Sequence, residues 1–172
     1  PQDLNSGELV YSLIPGRISN VDPDNSVSKL TLWSALPSSE GDLLNVRDLE
    51  QAMENMKRIP TVDTNIDIKP DDTENSQPGD SQLIFEHKQA KPFRMTLSFD
   101  DSGYESTGRF QGSATLSLDN VLGINDLIYL SKNKDFGGKG NVGGSQGETA
   151  HVSFPFGYWL VAFTNSEYEY DQ

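Results

Sequence analysis

Residues 44–60 read LNVRDLEQAMENMKRIP. Asn45 is of a residue type favoured at a helix N-cap, and Asp48 follows three positions later, the spacing of a capping box. A helix is therefore predicted from Val46 to about Arg58, with Pro60 ending it because proline cannot donate the next backbone hydrogen bond. Three apolar residues recur on one side of this helix: Leu49, Met53 and Met56.

The next stretch, residues 61–69, reads TVDTNIDIK and changes to a period of two. Strict alternation of this kind is typical of a β-strand with one face buried. The strand is predicted over Thr61–Lys69. Its inward-facing residues are Val62, Thr64, Ile66 and Ile68.

Shorter signals surround this helix and strand. Strands are predicted at Glu8–Gly16, Arg17–Val21 and Ser81–Lys88, a further helix at Ser28–Leu36, and an acidic loop at Pro70–Asp80. From the second strand onward the order is strand, helix, helix, strand, strand. That order predicts an α+β domain whose helices pack on one face of a small sheet.

The second half of the chain contains only strand-like alternation. Five segments are predicted as strands: Arg94–Asp100, Phe110–Asp119, Asp126–Lys134, Thr149–Phe156 and Leu160–Tyr170. The connections between them run long, short, long, short, and aromatic residues gather near the segment ends. Outer-membrane β-barrels have this rhythm and these aromatic girdles. A soluble antiparallel sandwich shows the same alternation, so the pattern alone leaves both architectures open.

Composition narrows the classes of function. The 172 residues carry a formal net charge of −13 and only 34% apolar residues, which argues against nucleic-acid binding. The chain has no cysteine, so disulfides and thiolate metal sites are excluded. It has no apolar run of the length that a transmembrane helix needs. We expect any secretory signal of the gene to lie upstream or to have been removed.

The sequence gives little support for catalysis. Its two histidines, His87 and His151, lie in alternating strands and have no nucleophile motif beside them. The segment beginning at Asp22 lacks the glycine and glutamate of an EF-hand loop, and Gly137–Val142 lacks the aspartate of a glycine-rich calcium repeat. We therefore expect no enzyme, no cofactor and no metal site.

The run from Leu44 to Pro60 closely resembles the second helix of the second POTRA domain in two-partner secretion transporters. These are the haemolysin-activator and contact-dependent-inhibition proteins of the Omp85 superfamily. The resemblance extends upstream through Gly7–Arg17, which looks like the last strand of the preceding POTRA domain. It extends downstream through Pro92–Gly103, Ser106–Asp135 and Ser153–Tyr168, which look like the first five strands of the barrel.

This resemblance implies a division of the chain into three parts. Residues 1–16 would end one POTRA domain, residues 17–92 would form the second, and residues 93–172 would begin a β-barrel. Five strands cannot close a barrel, and lipid does not tolerate an open sheet edge. The chain is therefore expected to be a fragment of a longer protein of the Gram-negative outer membrane, with the POTRA part in the periplasm.

The resemblance also implies a function. Such a transporter exports one unfolded exoprotein, an adhesin, haemolysin or contact-dependent toxin, whose amino-terminal secretion domain docks on the POTRA domain. The expected docking surface is an edge strand that accepts the partner as an extra strand, together with the adjoining helix. Its predicted residues are Val62, Thr64, Ile66, Ile68, Leu49, Met53 and Met56.

Three alternatives stay open at this stage. The apolar helix residues could simply be the domain core, which we favour for Leu49 and Met53. The whole protein could be an Omp85 assembly factor that inserts other barrels, or the chain could be a soluble β-rich binding module.

Overall fold

Two β-sheets organise the chain, and two helices lie beside the first of them. The computed structural model describes residues 11–23, 27–101, 103, 109–136 and 144–170. No helix within these ranges is both long and apolar enough to span a membrane.

The first sheet has three strands and is covered by both helices. Its elements are β1 (Arg17–Pro23), α1 (Lys29–Ala35), α2 (Val46–Lys57), β2 (Val62–Pro70) and β3 (Asp80–Gln89). The spatial order is β1-β3-β2, with β1 parallel and β2 antiparallel to the central β3. The predicted α+β order is confirmed.

The core of this unit lies between the helices and the central strand. Ile18 from β1, Ala52 and Met56 from α2, and Leu83 and Phe85 from β3 are all fully buried. The alternation of β3 therefore places its apolar residues under the helices, as a half-buried strand requires.

The cap of α2 explains where this helix begins. The side-chain oxygen of Asn45 accepts a hydrogen bond from the backbone N–H of Arg47 at 3.1 Å, so the predicted N-cap is confirmed. The carboxylate of Asp48 accepts from the side-chain amide of Asn45 at 3.1 Å and from the hydroxyl of Ser38 at 2.6 Å. Asp48 thus joins the cap to the segment before it.

One predicted strand is wrong over its described part. The prediction covered Glu8–Gly16, but residues 11–16 contain no strand, and residues 8–10 lie outside the described ranges. A strand needs a neighbour to pair with, and pairing with β3 begins only at Arg17. Leu13 is accordingly 91% exposed.

The second sheet is an antiparallel meander of five strands. These are β4 (Phe93–Asp100), β5 (Phe110–Asp119), β6 (Leu127–Phe136), β7 (Ser145–Phe156) and β8 (Trp159–Tyr170), in spatial order β4-β5-β6-β7-β8. All five predicted strands are confirmed, and the sheet is not closed. Residues 24–26 and 137–143, which contain parts of the two segments rejected as calcium sites, lie outside the described ranges.

The two faces of this sheet differ in chemistry because side chains alternate along each strand. Met95, Leu116, Leu130 and Ala150 lie in register across one face. The row beside it on the opposite face consists of hydroxyl residues: Thr96, Thr115, Ser131, Thr149 and Ser166. Asn165 completes the first row on β8, and the next row toward the long connections carries Lys132, Glu148 and Glu167. The first face is therefore apolar mainly toward its short-turn end, although its side chains are largely exposed.

Candidate docking surface

Strand β2 lies at one edge of the first sheet, because it pairs only with β3 among the described strands. The ladder between them shows which backbone groups face outward. Ala90 donates to the carbonyl of Thr61 at 2.8 Å, and Asp71 donates to the carbonyl of Asp80 at 3.0 Å. Hydrogen-bonded pairs alternate in an antiparallel ladder, so the backbone N–H and C=O groups of the odd-numbered residues of β2 point toward β3.

The even-numbered residues of β2 therefore direct their N–H and C=O groups away from the sheet. These residues are Val62, Thr64, Ile66 and Ile68, the four predicted for the edge strand, and Pro70, which has no N–H. The N–H of Val62 is already bonded to the carbonyl of Ile59 at 3.0 Å. Three outward donors remain for an added strand, on Thr64, Ile66 and Ile68.

An apolar groove of about 490 Å³ runs between this edge and helix α2. Its lining residues are Val46, Leu49, Met53, Ile66 and Ile68, with Glu50 and Glu54 also present. Met53 is half-buried, and Val46 and Ile68 are exposed. Outward backbone groups beside an apolar groove are the two features that strand addition uses.

The structure brings together four of the seven predicted site residues in this groove: Leu49, Met53, Ile66 and Ile68. Leu49 is only 6% exposed and belongs to the core cluster, as favoured for it from the sequence, so it contributes only to the wall of the groove, whereas Met53 is half-buried and lies outside that cluster. Met56 is fully buried and does not line the groove, so we leave it out of the candidate surface. The side chain of Thr64 is also buried, and its hydroxyl donates to the carbonyl of Glu86 at 2.8 Å. Thr64 therefore offers only backbone groups to the edge, and Val62, which does not line the groove, has only its carbonyl left for an added strand.

A second set of polar residues, which sequence reasoning missed, joins the helices to the second sheet. Asn55 of α2 donates to the carbonyl of Ala35 at 2.8 Å and to that of Gly157, in the β7–β8 turn, at 2.7 Å. Asn125, before β6, donates to the carbonyl of Thr31 at 2.9 Å and to the hydroxyl of Ser34 at 2.8 Å. Both asparagines are buried.

Arg58, the C-cap residue of α2, extends this junction to the polar face of the second sheet. Its guanidinium donates to the carbonyl of Asn125 at 2.8 Å and to the hydroxyl of Ser153 on β7 at 2.6 Å. Burial lowers the pKa of Arg58, while the nearby carboxylate of Asp126 acts in the opposite direction. We refer to Asn55, Arg58 and Asn125 together as the polar junction.

Both short turns of the second sheet take part in this contact. The hydroxyl of Thr31 donates to the carbonyl of Gly123 at 2.9 Å, and the N–H of Gly157 donates to the carbonyl of Ser34 at 3.0 Å. The hydroxyl of Tyr158 also donates to Asp48, and this bond raises the pKa of Tyr158. The first unit is therefore attached at the short-turn end of the meander.

The chain matches two protein families. Residues 79–172 match the haemolysin secretion/activation proteins ShlB/FhaC/HecB, and residues 17–70 match the POTRA domain. A curated relative, the outer membrane transporter CdiB-2 of Burkholderia pseudomallei (strain 1026b), is 39% identical over 173 residues. The match covers 98% of this chain but 29% of that relative, so the chain spans less than a third of its length.

Two solved structures show where this architecture is found. CdiB from Escherichia coli superposes with a TM-score of 0.83 at 32% identity, covering 97% of this chain and 31% of that one. BamA from Haemophilus ducreyi lacking POTRA domains 1–3 superposes with a TM-score of 0.60 at 14% identity, covering 91% and 28%. The second likeness shows the fold alone: a POTRA domain followed by antiparallel strands of a partial barrel.

Proposed function

Because this chain belongs to the ShlB/FhaC/HecB family of haemolysin secretion/activation proteins, we propose that it is part of an outer-membrane transporter of two-partner secretion. In this proposal residues 17–92 form the POTRA domain that receives an unfolded exoprotein, and residues 93–172 form the first strands of the pore. Residues 1–16 would end a preceding POTRA domain. The transporter acts by binding and guiding its cargo, and no catalytic step is assigned to it.

The observation that carries the proposal is the open edge of β2 beside the α2 groove. The secretion domain of a TpsA-type exoprotein would arrive extended and add a strand along Thr64, Ile66 and Ile68. Alternate side chains of that strand would enter the groove lined by Leu49 and Met53. Methionine adapts its shape readily, which suits a site that must accept successive parts of a moving chain.

The two faces of the second sheet support the transport half of the proposal. An apolar outer face can contact lipid, while a face of hydroxyl residues can line a wet channel through which a polypeptide slides. The attachment of the POTRA unit at the short-turn end is consistent with a periplasmic position, because barrels have short periplasmic turns. The exoprotein would then leave through the longer loops and fold outside.

The experiment compares two substitutions at one residue in the full-length transporter. Ile66→Pro removes an outward N–H, whereas Ile66→Ala keeps that N–H and removes only the side chain from the groove. The ladder to β3 does not use the N–H of Ile66, so proline at this position preserves the pairing of the two strands. Binding of the exoprotein's amino-terminal secretion domain is measured for both variants.

We expect Ile66→Pro to bind about tenfold more weakly than Ile66→Ala, because strand addition loses a hydrogen bond and meets the proline ring. Equal affinities for the two variants would exclude strand addition at this edge. If Ile66→Ala also bound as tightly as the unaltered transporter, the groove would have no part in docking.

A further inference from the structure

Helix α1 exposes two large apolar side chains on one side. Trp33 is 60% exposed, and Leu30, three positions earlier and so on the same side of the helix, is 56% exposed. The opposite side of α1 packs inward through Thr31, Ser34 and Ala35. A large apolar pair left in the open on a short helix marks a surface that something covers.

The indole of Trp33 is in contact with the second sheet. Its ring centroid lies 5.0 Å from that of Phe156, at an interplanar angle of 56°. Phe156 and Trp159 form the last residue pair before the β7–β8 turn. By strand alternation both lie on the apolar face, together with Phe154 and Val161.

Trp33 therefore continues the apolar face of the sheet beyond its short-turn end. Trp159 is 76% exposed beside Phe156, so the patch is an unbroken extension of that face. In the proposed function this face contacts lipid, and its short-turn end meets the periplasmic side of the membrane. Tryptophan is the residue most suited to that boundary, since its ring is apolar and its N–H is polar.

Hydrogen bonds hold α1 in this position. The carbonyl of Thr31 accepts a hydrogen bond from the side chain of Asn125, and the carbonyl of Ser34 accepts one from the backbone N–H of Gly157. The hydroxyl of Thr31 also donates to the carbonyl of Gly123. The helix cannot turn Trp33 away from the sheet without breaking these bonds. Lys29, four positions before Trp33 and exposed, can extend its ammonium group to lipid phosphates.

We propose that helix α1 docks on the periplasmic surface of the phospholipid bilayer, with Leu30 and Trp33 inserted at the headgroup boundary beside Phe156 and Trp159. The inference rests on the proposed function, because it needs the apolar face of the second sheet to contact lipid. It adds that the POTRA unit is itself a membrane-contacting element. The membrane and the polar junction together then fix the angle at which the docking edge is presented below the pore.

The test measures the surroundings of single nitroxide labels on the full-length transporter in dioleoylphosphatidylcholine vesicles. Labels are placed by Leu30→Cys and Trp33→Cys in a cysteine-free background, with Trp159→Cys as the lipid reference and Val46→Cys in the groove as the water reference. Collision with dissolved oxygen reports lipid, and collision with a water-soluble nickel chelate reports solvent. The Leu30 label leaves Trp33 in place, so the result does not depend on losing the indole.

We expect the labels at Leu30 and Trp33 to collide with oxygen as the Trp159 label does, and to be protected from nickel relative to the Val46 label. Nickel access at both α1 labels, with the Trp159 label in lipid, would overturn the docking of α1 and leave the proposed function standing. Protection of the α1 labels from both reagents would also overturn it, because protein rather than lipid would then cover the patch. A water-exposed Trp159 label would refute the membrane position of the sheet, and with it both proposals.

Discussion

Replacing Asn55 by leucine should loosen the attachment of the POTRA unit to the barrel strands. Leucine has the same branched skeleton and number of side-chain heavy atoms as asparagine, so no cavity is left beside α2. The substitution removes the two donors that reach the carbonyls of Ala35 and Gly157 at 2.8 and 2.7 Å. Because Asn55 is only 6% exposed, water cannot readily replace those donors.

The size of the effect follows from the carbonyl of Gly157. Ala35 belongs to α1 in the same unit as Asn55, so only the hydrogen bond to Gly157 crosses to the second sheet. An acceptor in the junction that loses its partner costs about 1 to 3 kcal/mol in the free energy that holds the junction closed. That loss corresponds to a roughly 5- to 150-fold increase in the open population.

The assay is hydrogen–deuterium exchange of the full-length transporter in nanodiscs. The N–H of Gly157 donates to the carbonyl of Ser34 across the junction, so its exchange rate reports opening directly. The matched control is Gln51→Leu, which removes the hydrogen bond from Gln51 to Asn55 (3.0 Å) and leaves both donor bonds of Asn55 in place. We expect the control to change the exchange rate of Gly157 little, because the lost bond lies within α2 and does not cross the junction.

An Asn55→Leu protein whose Gly157 amide exchanged no faster than that of the Gln51→Leu control would refute this reasoning. The junction would then be held by other contacts, such as the Arg58 guanidinium. The carbonyl of Gly157 would then have found a new partner.

Three further outcomes are expected. Met56→Ala should lower the free energy of hydrogen-exchange protection of the β3 amides by about 2 to 5 kcal/mol, because Met56 is fully buried. Met53→Ala should change this protection little and should instead weaken exoprotein binding, because Met53 lines the groove. Burial lowers the pKa of His87 from 6.5, so neutral His87 contributes its full stabilisation of the folded state above pH 6.5. That contribution is lost as the pH falls from 6.5 through the lowered pKa. Titration of the His87 ring followed by NMR should find the lowered pKa, and a pKa of 6.5 would contradict this prediction. Gly79→Ala should reduce the hydrogen-exchange protection of β3 more than Gly41→Ala does. The φ angle is positive at both glycines, but only at Gly79 would an added Cβ meet backbone, 2.7 Å from the carbonyl oxygen of Pro15. Equal losses of protection would show that the positive φ alone sets the cost.

Most of the fold could be predicted because its signals are local. Helix α2 has a side-chain cap at one end and a proline just beyond the other, and strands β4 and β5 of the meander alternate with a clear period of two. The edge position of β2 was a hypothesis that alternation could not test. It depends on β1 pairing with β3 in parallel across the helices.

The features that were not predicted depend on contacts between distant parts of the chain. Residues 11–16 have strand-like composition but no pairing partner in the described sheet, so composition alone misled the assignment. Leu49 and Met56 share a helical face with Met53, yet only Met53 and part of Leu49 reach the groove, because the sheet covers the other side of α2. A helical period shows which residues share a face, but not where the sheet ends beneath them.

The polar junction was missed for a related reason. Asn55 bonds a carbonyl 102 residues away, and Arg58 bonds groups 67 and 95 residues away. No spacing in the sequence marks such pairs, and each residue alone is unremarkable at the end of a helix. The one available signal was polar residues on the inward side of α2, where a satisfied hydrogen bond must be found.

The proposed function requires that this family member serve one dedicated cargo and not act as a general assembly factor for outer-membrane proteins. We would test this by deleting the whole gene in the parent organism and then measuring the large exoprotein in the medium alongside the porins of the outer membrane. We expect loss of one secreted protein with normal porin levels. A general fall in porins would contradict it, and the edge of β2 would then have to be reassigned to the strands of unassembled barrels.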